Sequence, residues 1–240
     1  MICATHQTSP PQRSSAKKES TNVSAGILKQ QLALEDKLDD LLGQAERARK
    51  TRDFAAEVVA CEKARDLVHS ETLLAEQQNR VLWKLAGAYL DAKKPIDAIT
   101  TYETVLELRR PQCDPQTGLV SDCAEVEQMI GLAKMQSGDF AGSLDDLDHA
   151  IDNYGIAASH AQFEMVKIVA AKDQAQTRLL RAVALFRTGR RDQAISENEE
   201  ALNQLKQIES DANIQAPIRD DARKALDSGS QQLEKLKSQP

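Results

Sequence analysis

Residues 81–110, VLWKLAGAYLDAKKPIDAITTYETVLELRR, leave room for little except two helices joined by a tight turn at Asp91–Pro95. Leu82, Leu85, Ala86 and Tyr89 recur at spacings of three and four, and Ala98, Tyr102 and Val105 do the same after the turn. Such spacing places each set on one helical face. Small residues (Ala86, Ala98) stand where two backbones must approach, and large ones fill the space beside them. A helix stop follows at Arg110-Pro111.

The rest of the chain has the same character. Hydrophobic residues make up 41% of the 240 positions but aromatics only 3%, so the core must be built from Ala, Leu, Ile and Val, which favours close helix–helix contacts. From Gly26 to Lys50, Leu28, Leu32, Leu34, Leu38, Leu41, Leu42 and Ala45 form a helical stripe. Arg52-Asp53 turns, and Phe54 opens a second helix through Val58, Cys61, Ala64 and Leu67. The helix before the 81–110 hairpin's turn is predicted to begin near Ser70, as an N-cap with Glu71 and Glu76 nearby. A loop, QCDPQTGLVSDC, follows Pro111, and Ser121 is expected to cap the next helix.

A third hairpin, EVEQMIGLAKMQSGDFAGSLDDLDHAIDNY, turns at Gly138-Asp139 and is expected to end at Tyr154-Gly155. A long helix is predicted from about Ser159 to Thr188, stopped by Gly189, with DQAISENEEALNQLKQI as its partner. After Pro217 a final amphipathic helix is expected, weakened at Ser228-Gly229-Ser230.

This order of large and small residues resembles the tetratricopeptide repeat, a helix–turn–helix unit of 34 residues. The resemblance covers about residues 27–210, and its units are long. Ala64, Val105, Ala150 and Ala201, the matching late positions, stand 41, 45 and 51 residues apart, which resembles the kinesin light chain type. Arg178, Arg181 and Asn198 depart from the pattern, at positions that are usually apolar or aromatic. The resemblance implies an all-α, right-handed superhelical solenoid of about four repeats at 27–212. Residues 213–240 then form a capping helix that covers the last apolar face. Residues 1–26, rich in Ser, Thr and Pro, are expected to be a disordered tail.

In that family the first helices of successive repeats line a concave groove. Carried over, the groove positions are Trp83, Gly87 and Leu90, then Met129, Leu132 and Met135, then Leu180, Val183 and Phe186. Lys84 is present, but Gly87, Met129 and Leu132 replace the Asn residues of the family's carboxylate-binding members. The resemblance therefore implies an apolar trough, open to a protein or peptide segment or covered by the C-terminal helix. Self-association through that helix is the alternative.

Asp145, Asp148, His149 and Asp152 share a helical face, and no Lys or Arg occurs between Lys134 and Lys167. The face is read as a solvated or partner-binding acidic surface rather than a metal site. The arginines 178, 181, 187, 190 and 191 are candidates to meet it within the fold. No catalytic motif, cofactor motif or zinc-type Cys/His spacing is present, so neither an enzyme nor a cofactor is expected. A net charge of −6 argues against nucleic acid. No apolar run approaches a membrane span.

Cys61 falls on a core face. Cys113 and Cys123 flank the loop, and a disulfide there requires an oxidising compartment. The expected location is cytoplasmic. Cys3, followed by a polar tether, carries the alternative of a periplasmic or lipid-anchored protein that has lost a signal peptide.

Overall fold

The structure is a computed structural model that describes residues 15–113 and 119–238. Among the described residues it contains nine α-helices and no strand. They are α1 (Ser15–Lys50), α2 (Phe54–Ser70), α3 (Gln78–Asp91), α4 (Pro95–Arg109), α5 (Val120–Ser137), α6 (Phe140–His160), α7 (Glu164–Arg187), α8 (Arg191–Ser210) and α9 (Ala216–Ser238). Each helix packs on the next in the chain, and α7 also touches both α5 and α9. The result is an all-α solenoid of tetratricopeptide-like hairpins closed by α9.

The four hairpin turns share one hydrogen-bond pattern. Each contains a residue with positive φ: Arg52 (60°), Lys93 (59°), Gly138 (92°) and Gly189 (82°). In each, the next residue's N–H donates to the carbonyl five back: Asp53 to Ala48, Lys94 to Tyr89, Asp139 to Lys134 and Arg190 to Leu185, at 2.8–2.9 Å. This is the Schellman helix stop, which satisfies carbonyls that the helix end would leave open. The starts of α2 and α6 are then capped alike. Asp53 accepts from the Ala56 N–H at 3.1 Å, and Asp139 from the Gly142 N–H at 2.8 Å.

Small residues set the helix separation. Ala64, Ala86, Ala98, Ala124, Ala150, Ala182, Ala194 and Ala201 are fully buried. At Gly131 an added Cβ would stand 2.8 Å from the Leu147 side chain, so α5 and α6 approach more closely than a larger residue allows.

Several boundaries differ from expectation. Ser70 ends α2 instead of capping α3, because its hydroxyl donates to the Leu67 carbonyl at 3.0 Å. A 3₁₀ turn at Thr72–Gln77 follows, drawn inward by fully buried Leu74. Helix α5 begins at Val120, one residue before Ser121. Tyr154-Gly155 does not end α6. Tyr154 is buried, and Gly155 leaves room for Gln174 of α7, whose amide donates to the Ile151 carbonyl at 2.9 Å. The break falls at Ala161–Phe163, and α7 starts at Glu164.

Helix α9 runs unbroken through Ser228-Gly229-Ser230, because Gly229 is a contact point. A Cβ there would meet Leu202 at 2.8 Å and Leu179 at 3.0 Å. Residues 15–26, expected in the tail, belong to α1; residues 1–14, with Cys3, lie outside the described residues.

Candidate groove

The odd-numbered helices α1, α3 and α5 border a groove of about 720 Å³, floored by residues of α2 and α4. Its centre is Trp83 on α3. The Tyr102 ring stands edge-on to it, with centroids 5.2 Å apart, and the Arg109 guanidinium lies 4.7 Å over its face. Arg109, at the end of α4, also donates to Asn79 Oδ1 and to the Asp122 carbonyl, both at 3.1 Å, and lies 3.6 Å from Glu125. One side chain thereby ties α3 to α5 across the groove floor.

The other cations here are also engaged. Arg49 pairs with Asp91 at 2.9 Å, Lys84 with Glu46 at 3.2 Å and Arg80 with Asp39 at 3.2 Å. Glu57 is less well served. It is only 5% exposed, its Oε1 lies 3.9 Å from Arg49 Nε, and its buried Oε2 has no hydrogen-bond partner. Burial, then the neighbouring Asp91, raises its carboxyl above the ordinary range, with Arg49 and Lys84 opposing. Burial likewise pushes the adjacent Cys61 thiol up to about 11, which makes it an inert core residue.

A second stretch of about 500 Å³ continues between α5 and α7, sharing Asp122 and Glu125 with the first. Met165, Val166 and Val169 form its apolar wall, and buried Tyr154 belongs to its lining. Asp173 is the third carboxylate. Burial raises it, against the pull of Lys172 at 2.9 Å. Phe163, beside this stretch in sequence, is 72% exposed.

Of the groove positions carried over from the family, Trp83, Gly87 and Met129 meet in the first stretch. Leu90 is buried in the core cluster that contains Ile130 and Ala133, and Leu132 packs against that cluster. Met135, Leu180 and Phe186 pack against a separate cluster around Leu147 and Leu185. Val183 is half-buried and lines neither stretch.

On α6, Asp145, His149 and Asp152 are exposed, while Asp148 pairs with Arg181. Among the described residues no group of three His, Cys, Asp or Glu is placed to hold a metal. Of the five candidate arginines only Arg181 meets this face. Arg178 binds Glu197 and Glu200, Arg187 covers the Phe140 ring, and Arg191 donates to the carbonyls of Leu236 and Lys237.

Arg109, Glu57, Glu125 and Asp173 were not singled out from the sequence. Arg109 and Glu57 sit on even-numbered helices, which the family's groove rule omits.

Cys113 and Cys123 are joined by a disulfide, with Cα atoms 6.1 Å apart. It fastens α5 to the chain after α4, and Cys113 itself lines the first stretch of groove. Among the described residues no helix is long and apolar enough to cross a membrane.

No family model matches the chain, and no curated protein matches it in sequence. Two crystal structures of MamA resemble it in fold. One is 19% identical over 84% of this chain and 94% of its own, with a TM-score of 0.43. The other is 19% identical over 81% and 97%, with a TM-score of 0.40.

Proposed function

We propose that this protein is a non-catalytic scaffold or adaptor that holds a segment of a protein partner in the groove bordered by α1, α3, α5 and α7. One observation carries this reading: none of the residues lining either stretch belongs to α9. The C-terminal helix is spent on covering α7 and α8, so it does not occlude the groove. Prestacked helices supply a rigid surface, and the ordering cost of binding falls mainly on the partner.

Gly87→Arg tests the reading. A Cβ at Gly87 meets only the Tyr102 hydroxyl, at 3.8 Å, so a long side chain there enters the groove without disturbing a helix contact. Affinity capture from source cells should retain a partner on the wild type that Gly87→Arg loses. Equal recovery by both folded proteins would remove the groove from consideration.

A second reading concerns location, and the Cys113–Cys123 disulfide favours it. Disulfides persist in oxidising compartments, which supports a location in the cell envelope or outside the cell. Alkylation of protein taken directly from cells, followed by mass spectrometry, should find both thiols protected. Free Cys113 and Cys123 would sink this reading.

A further inference from the structure

Among the described residues lining the two stretches, six carboxylates stand against four cations. Every described cation lining the first stretch already has an anionic partner: Arg49 with Asp91, Lys84 with Glu46, Arg80 with Asp39 and Arg109 with Glu125. The buried Glu57 carboxylate, by contrast, keeps one oxygen without a partner. Among the described residues the second stretch is lined by Asp122, Glu125 and Asp173 and by no Lys, Arg or His; Glu125 already meets Arg109 at 3.6 Å, and Asp173 meets Lys172, from outside the lining, at 2.9 Å. Apolar side chains accompany these carboxylates throughout: Trp83 and Met129 in the first stretch, Met165, Val166 and Val169 in the second.

An excess of carboxylates beside an apolar wall matches a side chain with an aliphatic stem and a cationic head. We propose that the groove selects a basic amphipathic segment, with Lys or Arg interspersed among apolar residues. The stems lie on Met165 and Val169, and the heads meet Asp122 and Glu57 and share Glu125 and Asp173 with Arg109 and Lys172. This rests on the groove being the partner-binding surface and names the chemistry of what it takes. An acidic segment is disfavoured because, among the described residues, every lining cation is already paired and the excess carboxylates would repel it.

Trp83, the only tryptophan, lines the groove and reports occupancy by fluorescence. Three Trp-free probes are titrated into the full chain: an amphipathic Leu/Lys peptide, its Leu/Glu counterpart, and oligolysine of the same length. The Leu/Lys peptide should bind saturably, the Leu/Glu peptide should not, and oligolysine should bind at least about tenfold more weakly.

Replacing Asp122→Asn, Glu125→Gln and Asp173→Asn together should weaken Leu/Lys binding by about tenfold, the summed effect of three solvent-screened pairs. Removing as many charges elsewhere, with Glu103→Gln, Glu107→Gln and Asp227→Asn, all exposed and lining neither stretch, should leave the affinity unchanged. Circular dichroism melts establish that both variants are folded.

The proposal is overturned if the Leu/Glu peptide or oligolysine binds as tightly as the Leu/Lys peptide. It is also overturned if the two triple variants lose affinity equally. A partner captured through the groove whose bound segment is acidic would overturn this proposal and leave the groove reading intact. No Gly87-dependent capture together with no peptide binding would remove both.

Discussion

The two ends of the solenoid solve the same problem unequally. Helix α1 has 36 residues and its partner α2 only 17, so among the described residues about the first half of α1 extends beyond α2. Ile27, Leu28 and Leu32 on that half are 49%, 57% and 53% exposed. At the other end α8 and α9 are matched at 20 and 23 residues, and Leu205, Ile208 and Ala222 are buried between them and α7. Both ends carry apolar side chains at helical spacing. The difference is one of partner length, which decides whether a leucine stabilises the fold or merely decorates it.

The largest expected effect lies at the sealed end. Leu205 is fully buried, and Leu205→Ala should cost about 2–5 kcal/mol through lost burial and the cavity left behind. Denaturant unfolding measures it; a loss under about 0.5 kcal/mol would mean that α9 does not seal this end.

Gly229→Val should follow, at about 1–3 kcal/mol, because its side chain must displace Leu202 and Leu179 or push α9 outward. Limited proteolysis should then release α9 first.

Asn198 is predicted to act in the opposite direction. It is fully buried in α8, and neither its amide nitrogen nor its oxygen has a partner, so Asn198→Leu should raise stability by about 1–2 kcal/mol. Unchanged or lower stability would mean that water or a neighbour serves that amide.

Smallest is the open end. Leu28→Glu with Leu32→Glu should change stability by less than about 0.5 kcal/mol, since both side chains are already in solvent. A loss as large as that of Leu205→Ala would erase the distinction between the ends.

Acid should also separate regions. Glu57 has a raised carboxyl in the folded chain, so in the folded state it binds its proton at higher pH than in the unfolded state. Its burial penalty is therefore greatest above the raised folded value and is relieved as pH falls through that value towards the ordinary 4.5. Glu57→Gln should remove this acid-side gain, read as the difference in melting temperature between neutral and mildly acidic buffer.

Much of the fold was legible because it rests on local rules. The turns at Gly138 and Gly189 follow from glycine's freedom at positive φ, and Asp53 and Asp139 are ordinary helix caps. Arg52 and Lys93 make the same turn without glycine, so the conformation was invisible there even though the turn itself was placed. The errors at Ser70, Ser121 and Gly155 have a single source. Each residue is compatible with a helix stop or start, and a packing partner settled the matter elsewhere: Leu74, Val120 and Gln174 respectively.

The groove was only partly legible. Trp83, Gly87 and Met129 were within reach because they sit on the half-buried, groove-facing side of odd-numbered helices. Leu90 has the same register as Trp83, seven residues on, and yet is core. Register gives a direction around one helix; it does not say what the next hairpin lays over that direction.

The sequence by itself determined the helical class, the four hairpins and the small residues that let them stack, because helix period, caps and side-chain size act within a few residues. Only the tertiary structure decided which leucines are buried, that Gly229 is a contact and not a weakness, and that carboxylates outnumber cations along the groove. Those outcomes depend on helix lengths compared across the chain and on cations such as Arg49 and Arg109 finding partners on other helices. A pairing of that kind is a property of two distant segments, and neither segment records it alone.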